Sequence, residues 1–70
     1  MNRIPVTSSS LSSAGYSADE STLEVEYLNG SIYQYFAVPK GVFDSLLMAP
    51  SKGSFISERI RNHYPYRRVV

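Results

Sequence analysis

An Asn-Gly pair between two strand-like segments places the strongest constraint on how this chain can fold. Residues 22–28 before the pair alternate apolar and acidic side chains, which is the period of a strand with one buried face. Residues 31–37 after it are rich in aromatic side chains. Because Asn29 and Gly30 both tolerate positive φ, the pattern predicts a β-hairpin.

This hairpin admits two registers, which place its tyrosines on opposite faces. A two-residue turn puts Tyr33 and Tyr35 on the same face as Glu24. A three-residue loop closed by a glycine bulge shifts the pairing by one residue and moves both tyrosines to the face of Val25. We favour the second register, because it keeps Gln34 out of the core.

The flanking segments predict further strands and two helices. Residues 11–16 read as a strand, and residues 4–10 as an extended edge segment, since Pro5 cannot donate within a central ladder. After Pro39 the apolar residues recur at helical spacing. The sequence therefore predicts a single α+β domain over residues 1–70. It would contain an antiparallel β-meander (about 11–16, 22–28 and 31–37), two short helices (about 40–48 and 53–62) and a short extended C-terminal tail that can add an edge strand.

The composition limits the chemistry open to a chain of 70 residues. Cysteine is absent, so disulfides and thiolate metal sites are excluded, and we expect no metal site and no cofactor. A chain of this size buries only about 60% of its unfolded surface, so self-association is a further source of stability. No apolar run approaches the ~18 residues of a membrane span, and the first residues lack a signal-peptide core. We expect a cytoplasmic protein without a membrane partner.

Charge is distributed unevenly along the chain. Residues 1–39 carry four acidic side chains and one basic one, whereas residues 40–70 carry six basic and two acidic ones. Basic residues interleaved with tyrosines are typical of surfaces that bind single-stranded nucleic acid. The candidate nucleic-acid-binding residues are Lys52, Arg59, Arg61, Tyr64, Tyr66, Arg67 and Arg68. The alternative interpretation is that these charges neutralise one another within the fold, while the tyrosines pack the tail onto the core.

Helical geometry separates two of these candidates. At 100° per residue, Arg59 and Arg61 point about 160° apart if both are helical. They cannot bind one phosphate from the same helix face. Arg61 together with Arg67 and Arg68 forms the more plausible cluster, provided that the tail folds back.

A catalytic site finds little support in the sequence. Glu24 and Glu26 share one strand face, but alternating acids are typical of the solvent side of an amphipathic sheet. His63 is the one histidine, and neither a nucleophile elbow nor a phosphate-binding glycine loop accompanies it. We therefore expect no catalytic residues, and a binding module rather than an enzyme.

Several short motifs, taken together, resemble the KTSC domain. They are the Asn29-Gly30 hairpin, the Tyr33-Gln34-Tyr35 triplet, the Phe36-x-Val38-Pro39 exit, Ser51-Lys52-Gly53, and the Ile60-Arg61…Tyr64-Pro65-Tyr66 ending. The Tyr-x-Tyr signature of that family maps onto Tyr33 and Tyr35. The family is named for a module at the C-terminus of some lysyl-tRNA synthetases, and it also occurs as small stand-alone bacterial and phage proteins.

The resemblance implies the α+β fold described above and makes RNA a candidate partner. Two hypotheses stay open. The first is a non-catalytic module that binds RNA or tRNA through the basic C-terminal segment. The second is a protein-interaction domain, for example a homodimer, that uses a sheet edge or the tyrosine face.

Overall fold

The computed structural model describes residues 2–70 and shows an α+β fold with one five-stranded antiparallel sheet. The sheet has the order β1-β2-β3-β4-β5, so spatial neighbours are also neighbours in the chain. Its strands are β1 (Arg3–Pro5), β2 (Leu11–Ser17), β3 (Thr22–Tyr27), β4 (Ile32–Tyr35) and β5 (Tyr66–Arg68). Between β4 and β5 lie helix α1 (Lys40–Met48) and helix α2 (Lys52–Phe55), which continues directly into a π-helical segment, Ile56–Ile60. The predicted meander followed by two helices is confirmed.

The central hairpin adopts the register with the three-residue loop. Val25 lies opposite Tyr33 in the β3–β4 ladder. Gly30 has a φ of 91°, and its N–H donates to the carbonyl of Tyr27 over 2.9 Å. The Tyr27 N–H in turn donates to the Ser31 carbonyl over 2.8 Å, which closes the loop after the glycine bulge. The favoured register is therefore confirmed, and the tyrosines of β4 lie on the apolar face.

The core fills the space between this apolar face and the two helices. Its buried apolar residues are Leu11, Ala14, Leu23, Val25, Tyr35, Val38, Leu46, Ile56 and Ile60. Tyr16 extends the core at the start of α1, where its ring stacks on Phe43 at a centroid distance of 5.5 Å and its hydroxyl donates to the Val38 carbonyl over 2.6 Å. Apolar residues at helical spacing in α1 and at alternate positions in β3 thus meet in one layer.

The second helix differs from its predicted form in its last turns. Ser51 caps α2 by accepting a hydrogen bond from the Ser54 N–H over 3.4 Å. Beyond it, the Arg61 N–H donates to the Ile56 carbonyl over 2.8 Å, five residues back, as in a π-helix. The sequence predicts a regular helix over residues 53–62, whereas the structure has α2 followed by a wider π-helical segment. This wider turn buries both Ile56 and Ile60.

Edge strands form in part of each predicted extended segment, over Arg3–Pro5 and Tyr66–Arg68, whereas residues 6–10 lie outside any strand. β1 pairs with β2, and Pro5 stands opposite Ser13 at the margin of the sheet. β5 pairs with β4, with Tyr66 opposite Tyr35 and Arg68 opposite Tyr33. The C-terminal tail therefore returns to the hairpin after the helices. None of the helices in residues 2–70 is long and apolar enough to cross a membrane.

Candidate functional site

Four tyrosines from three adjacent strands form a cluster at one end of the apolar sheet face. This tyrosine cluster consists of Tyr27, Tyr33, Tyr35 and Tyr66. Tyr33 packs edge-on against Tyr27 with centroids 5.5 Å apart, and it lies 5.7 Å from the Tyr66 ring. Exposure differs sharply within the cluster, since Tyr35 is 2% exposed and Tyr66 is 54% exposed. The cluster therefore has a buried base and an accessible outer ring.

A pocket of about 280 Å³ opens beside this cluster. Its walls are the four tyrosines together with Asn29 and Ser31 from the hairpin loop and Arg61 from the end of the π-helical segment. We call it the tyrosine pocket. Three separate parts of the chain contribute to the pocket: the hairpin, the end of the second helix and the C-terminal strand. Within residues 2–70 no carboxylate lines its walls.

The phenols of Tyr27 and Tyr35 form a hydrogen-bonded pair, with their hydroxyl oxygens 2.7 Å apart. Burial raises the pKa of both hydroxyls, although the positive charge of Arg61 acts in the opposite direction on each. Both phenols are therefore neutral at physiological pH. Two hydroxyls carry two protons and one proton lies between them, so one O–H remains free to donate into the pocket.

The other polar groups of the pocket are also donors. The Asn29 side-chain oxygen accepts from the Ser31 N–H over 2.9 Å, which leaves the Asn29 NH₂ group available. Arg61 forms no ion pair with any carboxylate in the described part of the chain, where the acidic partners of Arg3 and Lys40 are Glu24, Glu26 and Asp44. The tyrosine pocket is consequently positive and rich in donors, a setting that suits an anionic or acceptor-bearing ligand.

The predicted cations of the second helix lie apart from one another. Lys52 donates to the Ala49 carbonyl over 3.1 Å, next to the end of α1. Arg59 lies over the Phe55 ring at 5.9 Å and lines a second groove together with Tyr64. Arg61 lines the tyrosine pocket instead. The structure thus places Arg59 and Arg61 at different cavities, in agreement with the divergence expected from helical geometry.

The two arginines of the tail also separate, because successive residues of a strand point to opposite faces. Arg68 stands opposite Tyr33 on the side of the tyrosine cluster, whereas Arg67 stands opposite Gln34 on the other side of the sheet. Arg68 additionally donates from Nε to the Val70 carbonyl over 2.8 Å. Of the predicted site residues, the structure brings Arg61 and Tyr66 into one pocket, with Arg68 on the same sheet face.

Three walls of the pocket were missing from the predicted site. Tyr27, Asn29 and Ser31 belong to the hairpin, and the sequence predicts only a structural role for them. Their one sequence signal is proximity to the Tyr-x-Tyr triplet across the loop. A prediction of their role would have required knowing that the tail returns to β4.

The opposite face of the sheet carries a polar network rather than a set of solvent-facing acids. Glu24 is only 8% exposed, pairs with the guanidinium of Arg3, and accepts from Gln34 Nε2 over 2.8 Å. Ser13 donates to Glu26 over 3.0 Å. We call these five residues the polar network. The expectation that the alternating acids only face solvent is therefore wrong for Glu24, because β1 and its arginine cover that carboxylate.

Opposing influences act on the Glu24 carboxyl. Burial raises its pKa, but the hydrogen bonds from Gln34 and Arg3 and the charge of Arg3 together outweigh burial, so the pKa lies below the usual value. The carboxylate is thus ionised and fully engaged in holding strands together. Across residues 2–70, no group of three or more His, Cys, Asp or Glu side chains is arranged to hold a metal ion.

Comparison with known proteins identifies the family. The model of the KTSC domain matches residues 7–64. An uncharacterised protein of Stutzerimonas stutzeri is 41% identical over 70 residues, which cover 99% of both chains. A lysine–tRNA ligase of a Nostoc species is 39% identical over 54 residues, which are 77% of this chain and 10% of the ligase.

A solved structure agrees with the sequence relatives. The crystal structure of a KTSC domain protein from Yersinia pestis matches with a TM-score of 0.91 and 34% identity, covering 99% of this chain and 97% of that one. The likeness therefore extends over the whole fold. The resemblance inferred from the hairpin and the Tyr-x-Tyr triplet is confirmed, and the chain belongs to the KTSC domain family.

Proposed function

We propose that this protein is a non-catalytic module that binds single-stranded RNA, such as an unpaired segment of a tRNA. The observation that carries the proposal is that Arg61, a guanidinium without a carboxylate partner in residues 2–70, lines a pocket together with four tyrosines. Single-stranded RNA is bound by such a combination of cations for the phosphates and aromatic rings for the bases. The match to a segment of lysine–tRNA ligases supports a tRNA-related partner.

Three of the seven predicted residues support the proposal by their positions. Arg61 and Tyr66 line the same pocket, and Arg68 lies on the same face of the sheet. Arg67 and Arg59 lie elsewhere, which makes them matched controls of the same residue type. RNA contact would therefore depend on a small surface rather than on the whole basic segment.

A non-catalytic role is supported by the ionisable groups of the pocket. The tyrosine hydroxyls of Tyr27 and Tyr35 have raised pKa values, and an arginine does not release its proton in proteins. A general acid or base needs a pKa near the working pH. Neither a histidine nor a carboxylate lines the pocket in the part of the chain described, and this lining supports a binding role.

A salt titration of RNA binding tests the proposal. For a labelled single-stranded RNA, the logarithm of the affinity should fall with log[salt] by about 0.7 per phosphate contact. Replacing Arg61 or Arg68 by alanine should lower this slope, whereas Arg67→Ala should leave it unchanged. No RNA affinity at low salt, or an equal loss for all three variants, would refute the proposal.

A second candidate function is protein interaction through the edge of the sheet. In the described sheet, β5 is paired only with β4, and all three of its residues are exposed. An open edge can add a strand from a partner or from a second copy of the chain. Light scattering on the protein at high concentration tests the homodimer version, which a purely monomeric mass would exclude.

A further inference from the structure

The dimensions and donors of the tyrosine pocket point to a narrower ligand than RNA in general. We infer that the pocket is a binding site for one nucleotide, whose base stacks on Tyr66 while its phosphate binds Arg61. This inference rests on the proposed RNA-binding function and specifies the part of the RNA that is recognised. An unpaired strand end or a single extruded nucleotide would fit, whereas a continuous tract would not.

The size of the pocket limits the ligand to one nucleotide. Its volume of about 280 Å³ lies just below the range of about 300–1,000 Å³ that is usual for small-molecule sites. Proteins that track single strands use longer grooves, for example about 4–16 nucleotides for each OB fold. The tyrosine pocket has room for a base with its sugar and phosphate. The neighbouring cavity of about 600 Å³ shares Tyr27 and Arg61, but within residues 2–70 it adds no aromatic ring on which a second base could stack.

The arrangement of the rings determines where the base can lie. The Tyr33 and Tyr66 rings are 5.7 Å apart, less than the roughly 7 Å that a base inserted between two rings would need at about 3.5 Å per contact. The base must therefore lie on the outer surface of the cluster. Tyr66 is its most exposed ring and packs in a tilted arrangement against Tyr33 and Tyr35, at centroid distances of 5.7 and 5.8 Å. It offers a fixed platform for stacking.

The donors of the pocket suit a phosphate next to that base. Arg61 presents a planar set of N–H donors with no internal carboxylate partner among the described residues, and this geometry matches phosphate oxygens. The free NH₂ of Asn29 and the remaining phenol O–H lie in the same walls. A ligand that combines a flat ring with an anion uses both features together. A nucleoside without its phosphate uses only one of them.

NMR titration of the ¹⁵N-labelled chain tests this inference directly. The probes are uridine 5′-monophosphate, uridine and inorganic phosphate, and the readout is the shift of the backbone signals of residues 27–35 and 61–68. The monophosphate should bind at least about tenfold more tightly than uridine, as expected for charge-assisted hydrogen bonds. Inorganic phosphate should bind weakly, because it lacks the ring.

Three variants test the base contact and the phosphate contact of this nucleotide site separately. Arg61→Ala should remove the difference between the monophosphate and uridine. Tyr66→Leu should weaken both ligands by about 5- to 150-fold, the range expected for loss of one stacking contact. Tyr66→Phe keeps the ring and should keep the affinity, which distinguishes lost stacking from a disturbed β5. Arg59→Ala, at the separate groove with Tyr64, is the control and should bind like the unaltered protein.

The outcomes distinguish this inference from the function on which it rests. If RNA oligonucleotides bind with the salt slope that depends on Arg61, but the monophosphate does not bind and Tyr66→Leu retains oligonucleotide affinity, the inference is wrong while the proposed function stands. If neither binds, both are wrong. If phosphotyrosine binds more tightly than the monophosphate, the pocket binds a phosphopeptide and the inference is overturned.

Discussion

The polar network makes a quantitative prediction about stability, and Glu24→Gln is the change that tests it. Glu24 lies on β3 and is held by Arg3 from β1 and by Gln34 from β4. The substitution preserves the size of the side chain and removes its charge. It therefore weakens one interaction that links three strands while leaving the apolar core untouched.

The expected loss follows from the environment of the pair. Hydrogen bonds to a charged group contribute about 1.5–3 kcal/mol each. The Arg3 side chain is 27% exposed, and solvent screening therefore favours the lower part of this range. We expect the free energy of unfolding to fall by about 2 kcal/mol at pH 7. For a domain of this size, 1 kcal/mol corresponds to about 4–8 °C, so Tm should fall by roughly 8–16 °C.

The effect of pH on this loss has a definite sign. The pKa of Glu24 is lowered in the folded state, so its contribution is fully present above the pKa of the unfolded chain, about 4.3. That contribution disappears as the pH falls through the lower folded-state value, because the carboxylate then becomes protonated. The unaltered protein and Glu24→Gln should therefore differ clearly at pH 7 and converge in acid.

Urea unfolding followed by circular dichroism at a series of pH values measures both effects. Asp44→Asn is the matched control, since Asp44 forms an exposed i,i+4 pair with Lys40 whose loss should cost no more than about 0.5 kcal/mol. A difference between Glu24→Gln and the unaltered protein that stayed constant from neutral to acid pH would contradict the reasoning. So would a loss no larger than that of the control.

Three further substitutions test packing and hydrogen bonding. Gly53→Ala should cost about 1–3 kcal/mol, because its methyl group would lie 2.5 Å from Ser10 Oγ and 3.0 Å from Ser10 Cβ, and rotation of the hydroxyl relieves only the first contact. Gly41→Ala in α1 meets no atom within 4 Å and should stabilise by up to about 1 kcal/mol, so equal urea midpoints for the two variants would contradict this. Tyr35→Phe should cost about 1 kcal/mol by removing the hydrogen bond to Tyr27. Because the pKa of Tyr35 is raised on folding, its stabilising contribution is lost as the pH rises above about 10, and Tyr35→Phe should reduce that loss; an unchanged alkaline slope would refute it.

Local patterns were sufficient to predict most of the fold. The alternation of residues 22–28 and the Asn29-Gly30 pair determine the hairpin, and the polarity of Gln34 was enough to choose its register. These signals work because they depend on neighbours within a few positions. The π-helical segment was not predicted, because the spacing of apolar residues in the sequence does not distinguish it from an α-helix.

The candidate site was predicted only in part, because it is assembled from distant segments. Arg61 and Tyr66 were selected for their charge and aromaticity, but nothing local indicated that they meet Asn29 across the pocket. The burial of Glu24 was missed for the same reason. Its partner Arg3 is 21 residues away, and only the pairing of β1 with β2 brings the guanidinium over the carboxylate.

The triplet of residues 33–35 connects the stability of the fold to the proposed binding site. Gln34 joins the polar network, while Tyr33 and Tyr35 form the base of the tyrosine pocket on the other face. Since side chains alternate along a strand, a slip of one residue would exchange these positions and remove both features at once. The three-residue loop holds the observed register, because the Gly30 N–H donates to the Tyr27 carbonyl and the Tyr27 N–H donates to the Ser31 carbonyl. Gly30 supplies the φ of 91° that this closure uses. The shape of the pocket therefore depends on the backbone conformation of Gly30 and not on packing at that position, since a Cβ atom built there would contact nothing within 4 Å.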